Sequence, residues 1–271
     1  MSSLKDHRNR WITGVVGLTI LVTVVGCASK PIFFLFMLLM LFFVLNEFYG
    51  MGSCSTNSKA LGIVLGLTLT GGFYFLDHLS LLALMTGMGV FLCIVSVVAF
   101  EKRPSSEVDL ERQLLGTFII ALLFSHLVWL RGLQEGKLWI FFLLSVVFAG
   151  DTFAFYGGTL LGRHKLSPKI SPRKTVEGVI AGLVGSCLGA VVFSHIFFRG
   201  SSLSVMIPLS IMLGILSQLG DLWESMLKRS AKVKDSGKIL PGHGGFFDRV
   251  DSILFPAPIL YHFILLNQRW L

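Results

Sequence analysis

Nine apolar runs, at about 11–29, 31–49, 60–76, 79–100, 113–130, 138–161, 177–198, 203–227 and 252–270, take up most of this 271-residue chain. Each is close to the ~20 residues that an α-helix needs to cross ~30 Å of hydrocarbon. The runs are continuous rather than alternating, so helices are expected and a β-barrel is not. Only 14% of the residues are charged, against 54% hydrophobic, whereas soluble chains average about 25% charged. The chain is therefore expected to be an all-α polytopic membrane protein of about nine transmembrane helices, a single integral domain over 1–271.

Turn residues mark the joints near 29–31, 50–57, 103–106 and 167–172. With a cytoplasmic N-terminus, 18 of the 23 basic residues fall on the cytoplasmic side, and Lys30, Arg131, Lys137, Arg199 and Arg269 fall on the other. One span more or fewer near the start would spoil that asymmetry, so nine spans in the cytoplasmic membrane is the consistent count. The same asymmetry explains the net charge of +8 without a nucleic-acid partner. Cys27, Cys54, Cys93 and Cys187 are far apart, with no CxxC pair, so neither disulfides nor a zinc site is expected. Val24–Cys27 resembles a lipoprotein cleavage site, but an uncleaved first span is expected, given eight more apolar runs behind it.

Ionisable groups inside a bilayer are costly, so each needs a reason. Asp151 lies in the middle of the sixth run, with Gly157, Gly158 and Gly162 after it. In the eighth run Gly214, Ser217, Asp221, Glu224, Ser225 and Lys228 recur every three or four residues, one small and polar helical stripe. Asp221 and Glu224 on one face repel unless a cation or a basic group separates them. A hard divalent cation such as Mg²⁺ suits such oxygens. The loop that follows carries Lys234, Asp235, Lys238 and then Pro241-Gly242-His243-Gly244-Gly245, whose backbone N–H groups suit phosphate oxygens. Asp248, Arg249 and Asp251 come next, carboxylates on either side of a phosphate-gripping guanidinium.

A second basic loop, Ser171-Pro172-Arg173-Lys174-Thr175, has the pattern of a helix start, with Ser171 at the cap and Pro172 at the first helical position. A helix N-terminus beside Arg173 and Lys174 is an anion site. In the seventh run Gly178, Gly182, Gly185 and Gly189 share one face, where close helix packing is favoured over a slot for a lipid tail. His126 and His195 are expected to be packing residues. For Asn46 and Glu47, solvation at a helix end and a functional role are left open. Acids and bases mixed among glycines at the end of a polar stripe describe metal-assisted phosphoryl or nucleotidyl transfer at the bilayer edge.

The run from Ser225 through Lys228-Arg229 and Lys234-Asp235 to Pro241, His243-Gly244-Gly245, Asp248-Arg249 and Asp251 resembles the signature of the CDP-diacylglycerol synthases, or phosphatidate cytidylyltransferases. Gly150-Asp151-Thr152 and the 171–175 loop also resemble family segments, with Arg173 where Lys is usual. The resemblance covers most of the chain, least distinctively over its first hundred residues, and puts the catalytic part at about 138–271. It implies that CTP and phosphatidic acid give CDP-diacylglycerol and pyrophosphate with Mg²⁺. It further implies that Asp221 and Asp248 bind metal, with Asp151 and Glu224 completing a second cation site. Lys228, Arg229, Lys234, His243 and Arg249 would neutralise phosphates, and Asp251 would orient Arg249. Ser171, Arg173, Lys174, Thr175, Ser225, Gly244 and Gly245 would contact substrate. The expected partners are the two substrates and the bilayer, with a homodimer as an option.

Two other classes fit the composition. A CTP-dependent lipid kinase of the dolichol-kinase type would release CDP rather than pyrophosphate. A transporter with a lipid-binding loop would show no nucleotide turnover, and the acids at Asp221, Asp235, Asp248 and Asp251 would have no use in it.

Overall fold

The computed structural model describes residues 2–52, 54–102, 106–198, 201–240, 242 and 244–267, with side chains for all of these except 2–10, 99–102 and 106–109. Helices dominate it. In chain order they are α1 (Ser2–Cys27), α2 (Lys30–Gly50), α3 (Thr56–Phe75), α4 (His78–Lys102), α5 (Ser106–Leu114), a π-helical stretch (Leu115–Ala121), α6 (Leu122–Gly132) and α7 (Gly136–Leu160). After a short hairpin come α8 (Val176–Phe197), α9 (Leu203–Ser230), α10 (Phe247–Leu254) and α11 (Pro256–Leu266). Among the described residues, eight helical segments are long and apolar enough to cross a membrane, and Trp11–Cys27 is a shorter apolar helix. The protein is polytopic and nearly all-α, and each of the nine expected runs falls on a helix.

Two local expectations are corrected. Ser171 and Pro172 do not start a helix. Strand β1 (Lys165–Ser167) pairs antiparallel with β2 (Ser171–Thr175), with Lys165 opposite Thr175 and Ser167 opposite Ser171. The helix start moves to Thr175, whose hydroxyl accepts from Gly178 N–H at 3.1 Å, with Glu177 in the first turn. Glu177 also closes the hairpin base, accepting from Arg163 N–H at 3.1 Å and lying 2.6 Å from His164 Nδ1. The last span starts at Phe247 rather than 252. Asp248 and Asp251 therefore lie on α10, Asp248 in its first turn, where a helix N-terminus favours a carboxylate. Pro256, which lacks an N–H donor, opens α11 after Phe255 and so marks the break from α10.

The chain forms two compact units, Met1–Trp129 with Asp235–Phe247, and Leu130–Lys234 with Asp248–Leu271. In the first, α2 supplies core residues with no exposure at all, Leu41, Val44 and Leu45. Thr70 and Ser125 share a buried 2.7 Å hydrogen bond, as polar groups without access to water require. His126 packs as expected, its ring 5.2 Å from Phe73 and 5.4 Å from Trp129.

In the second unit α8 lies against α7 through its glycine face. A Cβ at Gly185 would stand 2.6 Å from Phe153 Cβ and 2.7 Å from Ala149 O, and one at Gly189 would stand 2.7 Å from Ser145 O. Two of these three contacts are to backbone carbonyls of α7, so the face serves helix packing. Gly185→Leu is expected to destabilise the protein by about 1–3 kcal/mol. That would be read as a lower melting temperature in detergent, and an unchanged value would place the glycine face elsewhere.

Candidate active site

The stripe on α9 survives intact and organises the second unit's polar cluster. Helical spacing stacks Ser217, Asp221, Glu224, Ser225 and Lys228 on adjoining turns. Ser217 and Glu224 are buried, Glu224 with 0% exposure. Ser225 Oγ lies 3.5 Å from Asp221 Oδ1, a long contact on the same face.

Basic groups answer these acids. Lys174, from β2, places its Nζ 2.8 Å from Asp221 Oδ2 and donates to Gln218 O at 3.4 Å. Lys228 stands between two carboxylates, 2.5 Å from Glu224 Oε2 and 2.6 Å from Asp248 Oδ1. Its side chain is 13% exposed and that of Asp248 8%, so this triad is held away from water. Asp251 is buried, and its Oδ1 accepts from Ser252 N–H at 2.7 Å. Asp151 interacts electrostatically with Asp221, Lys174 and Arg249, and Asp251 with Asp151, Asp221 and Lys228. The expected residues Asp151, Lys174, Asp221, Glu224, Ser225, Lys228, Asp248, Arg249 and Asp251 thus belong to one cluster within one unit.

Other expected site residues do different work. Arg229 is exposed and ties loops together, its Nε donating to Ile170 O at 3.3 Å and its Nη1 to Val233 O at 3.0 Å. Thr175 is spent as the cap of α8. Arg173 and Lys234 are exposed and Ser171 is half-buried. His243 and Pro241 lie outside the described residues.

Gly244 and Gly245 belong to the first unit. There Leu240 N–H donates to Gly244 O at 3.0 Å, an isolated antiparallel bridge. Gly242 and Gly244 take φ of 75° and 76°, the left-handed region that side-chain-bearing residues rarely adopt. Gly245 is closed in by Glu47 and Ser236, where a Cβ would meet both side chains.

The profile of the cytidylyltransferase family matches residues 8–267. A phosphatidate cytidylyltransferase from Staphylococcus saprophyticus is 34% identical over 256 residues, 93% of this chain and 96% of that protein. One from Helicobacter pylori (strain J99) is 35% identical over 98% of this chain and 95% of its own length. One from Bacillus subtilis (strain 168) is 41% identical over 56% of this chain and 57% of its own length. The chain belongs to the cytidylyltransferase family.

For a member of this family, whether the cluster suits a divalent cation is a question of donor chemistry. Asp151, Asp221, Glu224, Asp248 and Asp251 face Lys174, Lys228 and Arg249, five acids to three bases. The donors are hard carboxylate oxygens, and both Glu224 oxygens are buried without a well-directed hydrogen bond. Among the described residues, no three His, Cys, Asp or Glu side chains converge as a ready-made metal cage. Mg²⁺ does not require one, because it typically takes one or two carboxylates and completes its shell with water and phosphate. The donor set fits.

The sequence did not distinguish two features of this cytidylyltransferase-family chain. Lys228 was visible as a basic residue but not as the link between Glu224 and Asp248, because Asp248 lies 20 positions away on another helix. Glu47 stood in a helix end open to either reading, and it is 4% exposed rather than solvated.

Proposed function

We propose that this protein transfers the cytidylyl group of CTP to phosphatidic acid, giving CDP-diacylglycerol and pyrophosphate with Mg²⁺, in the cell membrane with its N-terminus and site on the cytoplasmic side. The observation that carries this reading is the near full-length likeness to relatives bearing the name phosphatidate cytidylyltransferase. The acid–lysine cluster, which lies partly on the signature stretch, adds chemical support.

In the reaction an oxygen of the lipid phosphate forms a bond to the α-phosphorus of CTP. The bond from that phosphorus to the β-phosphate bridging oxygen breaks, and its electron pair leaves with pyrophosphate. The attacking phosphate is already ionised near neutral pH, so the site needs positioning and charge neutralisation more than a strong base. Asp221 and Asp248 would hold the cation, with Asp151 and Glu224 available to a second. A bound Mg²⁺ supplies Lewis-acid charge neutralisation at phosphoryl oxygens. Lys174 pairs with Asp221, and Lys228 with Glu224 and Asp248. Each ammonium has three donors, so both can also meet phosphate oxygens that arrive beside the acids. Arg249, exposed next to Asp248, adds a forked donor.

Incubating the purified protein with labelled CTP, phosphatidic acid and Mg²⁺ tests the proposal. CDP-diacylglycerol with pyrophosphate is the expected result. With a lipid alcohol supplied in a parallel reaction, a phosphorylated lipid with CDP would make it a lipid kinase, and absence of nucleotide turnover with either lipid would favour a transporter. Lys174→Ala is expected to raise the KM for CTP or phosphatidic acid roughly ten- to a hundredfold, the value of one charge-assisted contact. Unchanged KM values for both would reduce the hairpin to a topological role.

A further inference from the structure

Glu47 is a carboxylate near the end of the otherwise apolar helix α2, and burying such a group is costly unless it is hydrogen-bonded. Its partners are unusual in their spacing. Glu47 Oε2 accepts from Ser236 Oγ at 3.1 Å and from Phe247 N–H at 2.9 Å. These two donors stand at opposite ends of the glycine-rich loop, so a single oxygen closes it. Ser236 and Phe247 are themselves buried, at 7% and 0% exposure.

Two glycines make the approach feasible. A Cβ at Gly237 or at Gly245 would fall on the Glu47 carboxylate. Aromatic contacts from the same helix flank the clamp: Phe43 stacks on Phe246 at 4.8 Å, and Phe48 meets Phe247 edge-on at 6.2 Å. All of these groups lie within the first unit. Phe247 is also the first residue of α10, immediately before Asp248.

We propose that Glu47 is a positioning residue that ties Ser236 to Phe247 and so holds together the two ends of the glycine-rich loop. It acts through the loop and not on a reacting atom. The clamp keeps the Gly244 and Gly245 backbone aligned for phosphate oxygens, a role that rests on the cytidylyltransferase reading above. The clamp itself rests only on the geometry around Glu47.

The test uses full-length protein in detergent and two readouts. The first is trypsin cleavage after Lys238, an exposed residue inside the loop, followed by mass spectrometry. The second is the kcat and KM of CDP-lipid formation. Glu47→Leu, which removes the acceptor that Ser236 and Phe247 share, is expected to be cleaved about tenfold faster. It is also expected to lose about a hundredfold in kcat/KM, as displaced positioning groups do. Glu47→Gln keeps an acceptor oxygen and is expected to regain most of both. Ser236→Ala, which removes one donor and retains the acid, gives intermediate cleavage and covers the case in which Glu47→Leu does not fold. Wild-type cleavage in Glu47→Leu or, failing its expression, in Ser236→Ala overturns the clamp. A Glu47→Gln protein as impaired as Glu47→Leu overturns the positioning role. If the unmodified protein makes no CDP-lipid, the cytidylyltransferase reading fails alone, and the cleavage rates still decide the clamp.

Discussion

Asp248→Asn is expected to lower CTP-dependent turnover by at least about 10²–10³-fold, while the protein still folds and inserts. The substitution keeps side-chain size and removes one negative charge. Lys228 exchanges a carboxylate at 2.6 Å for a neutral amide oxygen but keeps Glu224 at 2.5 Å, so no buried ammonium is left alone and the fold is expected to tolerate the change. What disappears is a carboxylate assigned to the cation, and removing a preorganised electrostatic group of that kind costs catalysis on this scale. Initial rates at saturating CTP and phosphatidic acid, beside a melting curve in the same detergent, separate the two effects. A near-normal rate in a well-folded variant would remove Asp248 from the metal assignment.

The second large effect falls on stability and activity together. Lys228→Met leaves Glu224, with 0% side-chain exposure, buried without its cation and close to Asp248 and Asp251. Breaking one partner out of a buried ion pair typically costs about 3–5 kcal/mol, because the remaining charge stays desolvated. The melting temperature is expected to fall by on the order of 10 °C. Adding Glu224→Gln removes the stranded charge and should recover most of the lost stability. The double variant should nevertheless remain inactive, since the ammonium that would meet phosphate is still missing. Equal melting temperatures for the unmodified protein and Lys228→Met would contradict the triad. Recovered activity in the double variant would show that Lys228 serves only to neutralise Glu224.

Much of the architecture was legible because its causes are local. A helix crossing the bilayer must satisfy its own backbone and must be about 20 residues long, so the nine runs could be read one at a time. The stripe from Ser217 to Lys228 was legible for the same reason, since three- and four-residue steps stack on one helix whatever surrounds it. The glycine face of α8 announced a close approach, although not that α7 would fill it. The errors arose where local signals competed. Ser171-Pro172 and Thr175 each offer a helix start, and pairing with Lys165–Ser167 gave the segment to a strand and the cap to Thr175. The last span begins early, at α10, with Asp248 in its first turn, a placement that hydropathy does not register.

The amino-acid sequence by itself determined that the chain is a membrane-spanning helical protein with acids and lysines gathered near the ends of its last helices. The tertiary structure alone decided which acid meets which base. Lys174 reaches Asp221 across 47 positions, Lys228 joins Glu224 to Asp248, and Glu47 bonds to Phe247 from 200 residues away. Periodicity reports the face on which a side chain lies, but it says nothing of the element packed opposite. A buried charge is stable only with a partner at hydrogen-bond distance, so those pairings depend on how distant segments pack.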